Sequence, residues 1–256
     1  MHEPVSEHDP APTDAVSVFR ALHHGRAPGD PLVLPGPWDA ISARTFEDAG
    51  FPALATPSAG VAAALGYEDG RTPADEMFAA VARIARAVTI PVSADIEAGY
   101  GLEPKELVER LLDCGAVGCN LEDSVDGVLT DPRQQADWLA RVRAAAGDRL
   151  FINARVDVYI GDVSPGADRE AEAIARALLY TAAGADCVYP ILAPPEAVAQ
   201  LAAAVPGPLN VLGAADDPSS VRRYGELGAT RITFGPGLQG QAMAAVRACA
   251  ARLRRR

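Results

Sequence analysis

Residues 93–101 read Ser-Ala-Asp-Ile-Glu-Ala-Gly-Tyr-Gly, and the order of apolar, acidic and glycine residues in this stretch points to one kind of fold. Two carboxylates, Asp95 and Glu97, stand at the end of a predicted strand, and a glycine turn follows at once. Side chains two residues apart on a strand point in the same direction, so both acids are expected to face one pocket. The stretch therefore predicts a strand whose carboxyl end carries a polar site.

The same pattern of a strand, a loop and a helix recurs along the chain. Each of eight strand-like runs is followed by a loop and then by helical periodicity, and the runs end near Pro35, Pro57, Glu97, Asp123, Asp157, Ile191, Gly213 and Pro236. Glycines placed to end helices precede four of the strands: Gly50, Gly115, Gly184 and Gly228. Eight such units predict a single (β/α)8 barrel over residues 16–256, after a disordered tail over residues 1–15.

A doubly wound parallel sheet is the structural alternative. Such a sheet carries its glycine-rich nucleotide loop after the first strand. Here the only comparable cluster, residues 235–240, follows the last strand. In a barrel this cluster is either a phosphate loop or a plain helix-entry turn, and we favour the turn.

Composition excludes several classes of function. The chain has 256 residues, of which 49% are hydrophobic, and its 23 basic and 34 acidic residues give a net charge of −11. We therefore expect no nucleic-acid partner and no membrane partner. No apolar run is long enough to span a membrane, and the start does not resemble a signal peptide, so we expect a cytoplasmic protein.

The positions of the reactive side chains narrow the chemistry further. All four histidines precede the first strand, and Lys105 is the only lysine, so a histidine triad, a histidine-rich zinc site and a lysine Schiff base are not expected. The four cysteines, Cys114, Cys119, Cys187 and Cys249, show no metal-ligand spacing and are interpreted as buried reduced thiols in core elements.

Acidic residues gather at the predicted carboxyl ends of the strands, where barrel enzymes place their active sites. Asp69, Glu122, Asp123 and Asp157 join Asp95 and Glu97 there. Oxygen ligands of this kind suit Mg²⁺ or Mn²⁺ better than zinc. Arg155 lies on an otherwise apolar strand and must meet an anion, which is either one of these acids or a substrate carboxylate; we favour the substrate.

Six segments in order resemble the isocitrate lyase/phosphoenolpyruvate mutase superfamily over roughly residues 30 to 240: 35–40, 58–61, 65–69, 95–101, 120–123 and 153–157. The Asp-x-Glu-x-Gly-Tyr-Gly and Leu-Glu-Asp motifs are the most specific of them. The resemblance implies a magnesium-dependent barrel that acts on 2-oxo or 2-hydroxy carboxylates through an enolate-like intermediate. It also implies homodimers or homotetramers that exchange their eighth helices.

The resemblance assigns roles to individual positions. Asp95 resembles the direct metal ligand, and Asp69, Glu97 and Glu122 resemble acids that hold the waters of the metal. Ser58, Ala59 and Gly60 resemble the segment that holds the carboxylate and carbonyl oxygens of the substrate, and Arg155 resembles the carboxylate-binding arginine. We also predict substrate contacts from Trp38 and Asp39 in the first segment and from Asn210 on the seventh strand.

The loop after the fourth strand departs from the family pattern. Residues 124–132 lack the Lys-Lys-Cys-Gly sequence of isocitrate and methylisocitrate lyases and the asparagine of the mutase. After the sixth strand, Pro190-Ile191-Leu192 replaces a Pro-Glu pair. Proton transfer is therefore predicted to fall either to solvent or to a hydroxyl group such as that of Ser124 or Tyr100.

Three functions follow from these patterns. The first is a carbon–carbon lyase or decarboxylase for a small 2-oxo or 2-hydroxy acid. The second is a mutase or hydrolase for a phosphorus–carbon bond, and the third is a non-catalytic binder of oxo acids.

Overall fold

The computed structural model describes residues 12–160 and 168–254 and contains the predicted barrel. Parallel strands form its wall: β1 (Leu32–Val33), β2 (Leu54–Ala55), β3 (Val92–Asp95), β4 (Gly118–Leu121), β7 (Phe151–Val156), β8 (Cys187–Pro190), β9 (Asn210–Leu212) and β10 (Arg231–Thr233). Each predicted strand-like run contains one of these strands, so the division into eight units is confirmed.

The strands run round the barrel in two hydrogen-bonded groups, β1-β10-β9 and β2-β3-β4-β7-β8. The groups meet at both edges. Ala55 N–H donates to the carbonyl oxygen of Pro35 at 3.2 Å, and Val188 pairs in parallel with Leu209. Because every wall strand is parallel, all eight carboxyl ends open on the same face of the molecule.

Helix α1 (Pro12–Leu22) precedes the first strand and α10 (Gly237–Leu253) follows the last. The helices between them connect the wall strands: α2 (Ala40–Asp48), α3 (Ser58–Leu65), α4 (Ala74–Ala85), α5 (Pro104–Asp113), α6 (Pro132–Ala146), α7 (Arg169–Ala182), α8 (Pro195–Ala204) and α9 (Ser219–Glu226). The loop after β4 folds into an antiparallel hairpin of β5 (Ser124–Val125) and β6 (Val128–Leu129). Two helices, α3 and α4, follow β2.

The four predicted glycine stops end α2, α5, α7 and α9. Gly50, Gly115, Gly184 and Gly228 all have φ between +81° and +102°. In each case the residue after the glycine donates its N–H to a carbonyl five residues back, as Phe51 does to Phe46. This is the hydrogen-bond pattern of a Schellman motif, in which glycine takes the left-handed conformation at low cost. These local signals fix where each helix turns back toward the wall.

Helix α1 closes the amino end of the barrel. Its Phe19 is fully buried, with its ring 5.2 Å from the ring of Phe151, the first residue of β7. Leu32, Leu34 and Cys187 complete this apolar plug inside the barrel. The helix begins at Pro12, so the tail boundary that we predicted at residue 15 falls inside α1; residues 1–11 of that tail lie outside the described residues.

Helix α10 follows the eighth wall strand and has no buried residue. Met243, Val246 and Leu253 are exposed on it, and so is Cys249, which corrects our expectation that all four thiols are buried. The glycine cluster of residues 235–240 forms the entry into α10, so the doubly wound alternative is wrong. Among the described helices none is long and apolar enough to cross a membrane.

Candidate active site

Two adjoining cavities open at the carboxyl ends of the strands. The outer cavity has a volume of about 590 Å³, and its lining includes Asp69, Arg71, Glu97, Tyr100, Glu122, Ser124 and Arg155. The inner cavity has a volume of about 200 Å³, and its lining includes Ser58, Ala59, Asp69, Asp95, Asn120, Arg155, Tyr189 and Thr233. Asp69, Arg155 and Ile160 line both cavities, so the two form one continuous site.

The four predicted metal acids meet at this site. Burial raises the pKa of Asp95, Glu97 and Glu122, because a buried carboxylate loses its hydration. The negative charge of neighbouring acids raises these pKa values further, and Asp95 is the largest such neighbour of Glu122. Acids held this close and this deep need a cation beside them to stay ionised.

Arg155 supplies part of that positive charge. Its Nε donates to Asp157 at 2.6 Å, its Nη2 donates to the same carboxylate at 3.0 Å, and its Nη1 pairs with Glu122. Of the two anions considered from sequence, the structure therefore shows the acids as partners of Arg155. Three of the five guanidinium N–H groups are used in this way, which leaves two for a ligand in the cavities.

Beneath Asp95 lies a polar layer that the sequence analysis missed. Asn120 donates through Nδ2 to Asp95 Oδ2 at 3.2 Å, and its Oδ1 accepts from Asn153 Nδ2 at 2.7 Å. Arg231 Nη2 lies 3.5 Å from the same oxygen, while its Nε and Nη1 are buried without partners. Asn120 and Asn153 stand two residues before Glu122 and Arg155, so the alternation of strand residues could have revealed them.

The two predicted proton-handling hydroxyls both face the outer cavity. Ser124 donates its hydroxyl to Asp157 Oδ2 at 2.5 Å. Tyr100 Oη is buried without a hydrogen-bond partner, and desolvation together with the charge of Glu97 raises the pKa of this phenol far above its usual value. Tyr100 therefore keeps its proton and can donate it, but it cannot act as a base.

The backbone around the site is strained. The non-glycine residues with positive φ in the described part of the chain are Glu97, Tyr100, Asp126 and Leu192, and all four lie in loops at this face. Such conformations cost about 1 to 3 kcal/mol each and cluster at functional sites. The strain is thus located where the acids and the cavities are.

The amino end of α3 contributes backbone donors to the inner cavity. Ser58 and Ala59 line the cavity as the first residues of the helix, and its N-cap, Pro57, makes no side-chain cap hydrogen bond. The first N–H groups of a helix lack partners within it and attract anions. Gly60 lies behind this turn: a Cβ there would come within 2.8 Å of Pro57, and its carbonyl accepts from Gln239.

Four residues that we predicted to contact the substrate line neither cavity: Trp38, Asp39, Gly60 and Asn210. The Asp39 side chain accepts from Ser42 N and caps α2, and Trp38 packs its ring edge-on against Phe46. Asn210 is buried below the site, where its Oδ1 accepts from Thr233 Oγ1 at 3.2 Å. Their geometry gives the first two a structural role at the start of α2.

Asp123, next to Glu122, also turns away from the site. Its carboxylate accepts from Tyr180 Oη at 2.7 Å, from Arg176 Nη1 at 3.0 Å and from Asp157 N at 2.8 Å. These bonds hold α7 against the wall. The neighbouring acids Glu122 and Asp123 thus serve different purposes, because consecutive strand-end residues face opposite sides.

The donor set fits a hydrated hard cation. Among the described residues no three His, Cys, Asp or Glu side chains form a group that could hold a metal ion directly. Mg²⁺ is commonly held by only one or two carboxylates and keeps several of its waters. Asp95 is buried at the inner cavity and Glu97 Oε1 is buried without a partner, so carboxylate oxygens are available there for a cation or for its waters.

A parallel barrel with buried acids, an arginine and a helix amino end at its carboxyl face is the architecture of a (β/α)8 enzyme. The chain belongs to the phosphoenolpyruvate phosphomutase family, which its residues 19–254 match, and thus to the isocitrate lyase/phosphoenolpyruvate mutase superfamily of lyases and mutases. The family resemblance predicted from the motifs is confirmed.

The curated relatives include both a phosphorylmutase and a decarboxylase. An uncharacterised protein of Mycobacterium tuberculosis is 35% identical over 218 residues, which are 85% of this chain and 81% of that protein. The chloroplastic carboxyvinyl-carboxyphosphonate phosphorylmutase of Arabidopsis thaliana is 35% identical over 62% of this chain and 50% of its own length. An oxaloacetate decarboxylase of Rhodopseudomonas palustris is 32% identical over 69% of this chain and 62% of its own length.

Solved structures share the whole architecture. A candidate phosphonomutase from Burkholderia cenocepacia superposes with a TM-score of 0.85 at 39% identity, over 94% of this chain and 99% of that one. Oxaloacetate acetylhydrolase in complex with its product oxalate superposes with a TM-score of 0.82 at 25% identity, over 96% of this chain and 88% of its own.

Proposed function

We propose that the protein is a Mg²⁺-dependent lyase that cleaves or decarboxylates a small 2-oxo or 2-hydroxy carboxylic acid through an enolate-like intermediate. The observation that carries this proposal is the buried cluster of Asp95, Glu97 and Glu122 beside Arg155 at the mouth of the barrel. The two cavities, of about 590 Å³ and about 200 Å³, have room for such an acid. The oxaloacetate decarboxylase and the oxalate complex among its relatives act on or bind such acids.

Different residues of the site would bind the metal and the substrate carboxylate. Asp95 would hold the metal directly, with Asp69, Glu97 and Glu122 on its waters. When bound, the metal supplies positive charge to the substrate oxygen on which negative charge develops. The free N–H groups of Arg155 and the amides at the start of α3 would hold the substrate carboxylate.

Proton transfer falls to the hydroxyl groups that face the outer cavity. Cleavage leaves a carbanion-like carbon that must receive a proton, and the raised pKa of Tyr100 keeps its phenol protonated near neutral pH. Ser124 is oriented by its hydrogen bond to Asp157. Water entering the outer cavity is the competing donor.

A panel assay tests the proposal. The protein is incubated with 2-oxo, 2-hydroxy and phosphono acids in Mg²⁺ and, in parallel, in EDTA, and the products are followed by NMR. We expect release of pyruvate or a related enolate product only with Mg²⁺. Turnover of phosphonates alone would favour phosphorus–carbon chemistry, and oxalate binding without any turnover would favour a non-catalytic binder.

Helix α10 supports a proposal about assembly. Its apolar residues Met243 and Val246 are exposed, and no residue of the helix is buried. We propose that they pack against a second copy of the chain in a homodimer or homotetramer, with the eighth helix exchanged. Sedimentation equilibrium of the parent and of Val246→Asp checks this: the parent should be oligomeric and the variant should dissociate.

A further inference from the structure

A tyrosine that the proposed function does not use lines the inner cavity. Tyr189 lies on β8 (Cys187–Pro190), and only 3% of its surface is exposed. It pairs in register with Arg155 on the neighbouring parallel strand β7. Paired residues on adjacent strands point to the same side of a sheet, so the phenol and the guanidinium group face the same interior. Both line the inner cavity, which agrees with this geometry.

The surroundings of this phenol contain the groups that the proposed function assigns to the metal and the substrate. Asp95 and Ser58 line the same cavity. Burial raises the pKa of Tyr189 to about 12; a hydrogen bond with Thr233 and the charge of Arg155 lower it, and the charge of Asp95 raises it. The phenol therefore keeps its proton near neutral pH, and it lies close enough to Arg155 and Asp95 to respond to their charges.

The two hydroxyl groups already assigned to proton transfer line the outer cavity, and neither lines the inner one: Tyr100 and Ser124. Among the described residues that line the inner cavity, Tyr189 is the only tyrosine. A phenol is more acidic than the aliphatic hydroxyls of serine and threonine, so it is the stronger hydrogen-bond donor. The inner cavity thus holds a strong neutral donor beside the predicted metal ligand.

We propose that Tyr189 is a further catalytic residue, whose hydroxyl donates a hydrogen bond to the oxygen of the bound acid on which negative charge develops. This inference rests on the proposed function and adds a donor to that same site. An anionic oxygen is a stronger acceptor than the neutral hydroxyl of Thr233, so the bound acid takes this hydrogen bond. The bond strengthens as the charge develops, and a bond that is stronger in the transition state accelerates the reaction.

Titration calorimetry on Tyr189→Phe tests this inference. The substitution removes one oxygen atom and keeps the ring, so the variant should fold. Oxalate in the presence of Mg²⁺ is the probe, because its oxygens carry negative charge without any reaction. Loss of one hydrogen bond to a charged oxygen should weaken oxalate binding at least about tenfold. Mg²⁺ affinity measured without oxalate should stay within about twofold of the parent.

The reaction itself gives a second readout. On any acid that the panel assay shows to be turned over, kcat of Tyr189→Phe should fall at least about tenfold, because the hydrogen bond is strongest in the transition state.

Tyr180→Phe is the matched control. Tyr180 is also a buried tyrosine, but its hydroxyl donates to Asp123 at 2.7 Å, and neither residue lines the two cavities. This variant should melt at a lower temperature than the parent, because Asp123 loses a hydrogen bond. Its oxalate affinity should stay within about twofold of the parent.

Three results would count against these assignments. Oxalate affinity of Tyr189→Phe within about twofold of the parent, or an unchanged kcat, would overturn this inference and leave the proposed function standing. An equal loss of Mg²⁺ affinity measured without oxalate would also overturn it, because Tyr189 would then act on the shape of the site and not on the ligand. Failure of oxalate to bind to the parent with Mg²⁺ would contradict the proposed function itself.

Discussion

The two ends of the barrel are built on opposite principles. At the amino end, Asp186 accepts from Ile152 N at 2.8 Å and pairs with both Arg20 and Arg143, while α1 fills the opening with apolar side chains. At the carboxyl end, acids face one another across cavities, their pKa values are raised, and the loop backbone is strained. Asp186 at the amino end is paired with arginines, whereas the acids at the carboxyl end are left for a ligand.

This difference teaches where the stability of the chain comes from. Buried charges that are paired and hydrogen-bonded cost little, whereas clustered acids destabilise the fold until a cation joins them. Binding sites of this kind trade stability for function. Substitutions at the two ends are therefore expected to differ in kind: loss of stability at the amino end, and loss of binding at the carboxyl end.

The largest effect is expected from Arg155, compared with Arg176. Arg155→Lys removes a fork that holds Asp157 and Glu122, so oxalate affinity should fall more than about tenfold and turnover about a hundredfold or more. Arg176→Lys is the matched control, because the Arg176 side chain is also little exposed but bonds Asp123, away from the site. It should lower the melting temperature and leave oxalate affinity intact. Calorimetry on both variants checks this, and equal oxalate affinity in Arg155→Lys and the parent would make Arg155 a purely structural partner.

Lowering the pH should destabilise the fold through the amino end of the barrel. Burial, followed by the charge of Arg231, lowers the pKa of His23 from its ordinary value to about 3. A lowered pKa means that the neutral ring stabilises the fold fully above pH 6.5 and that this stability is lost as the pH falls through about 3. The loss is roughly 3 to 5 kcal/mol.

His23→Asn tests this acid sensitivity. Asparagine can keep a donor where His23 Nδ1 bonds the Phe19 carbonyl at 2.8 Å, but it does not titrate. Urea unfolding between pH 8 and pH 3 should show a smaller fall in unfolding free energy for the variant than for the parent. Identical pH slopes would mean that His23 does not titrate on unfolding.

Raising the pH should destabilise the fold through the carboxyl end of the barrel. Burial and the charge of Asp95 raise the pKa of Glu122 to about 9. A raised carboxyl pKa gives stability that is complete below the unfolded value of about 4.5 and is lost as the pH rises through about 9. Metal-free protein should therefore melt at a lower temperature at pH 9 than at pH 6, and Glu122→Gln should flatten this slope. A melting temperature that rises over this range in the parent and not in the variant would contradict the assignment.

Replacing the cysteines should have the smallest effect on activity. Burial raises the pKa of Cys119 and Cys187 to about 12 and that of Cys114 to about 11, so none of these three supplies a thiolate near neutral pH. Replacing each cysteine with serine should change kcat by less than about twofold in folded protein. A loss of a hundredfold from any one replacement would place the proton chemistry on sulfur.

Much of the fold could be read from local signals. The glycine stops, the eight apolar runs and the carboxylates at their ends depend on neighbours in sequence, and each of these expectations is met in the structure. The carboxylates of Asp95 and Glu122 could be assigned to one site from the sequence, because parallel strands bring their carboxyl ends together.

What escaped prediction depends on contacts between distant residues. Arg231 looks like an ordinary strand residue but is fully buried near Asn120, 111 positions away. The use of Asp39 as a helix cap and of Asp123 as a partner of Arg176 follows from which way each side chain turns. The exposure of Cys249 follows from the way α10 leaves the barrel.

The most direct test compares Asp95→Asn with Asp186→Asn, one acid from each end. Metal affinity is measured by calorimetry with Mg²⁺ and oxalate, and stability by melting of the metal-free proteins. Asp95→Asn should lose at least about tenfold in Mg²⁺ affinity while melting no lower than the parent, because it removes a repelled buried charge. Asp186→Asn should melt several degrees lower and bind Mg²⁺ as the parent does. Mg²⁺ affinity within twofold of the parent in Asp95→Asn, or a loss of stability there as large as in Asp186→Asn, would contradict the division of the barrel into a stabilising end and a binding end.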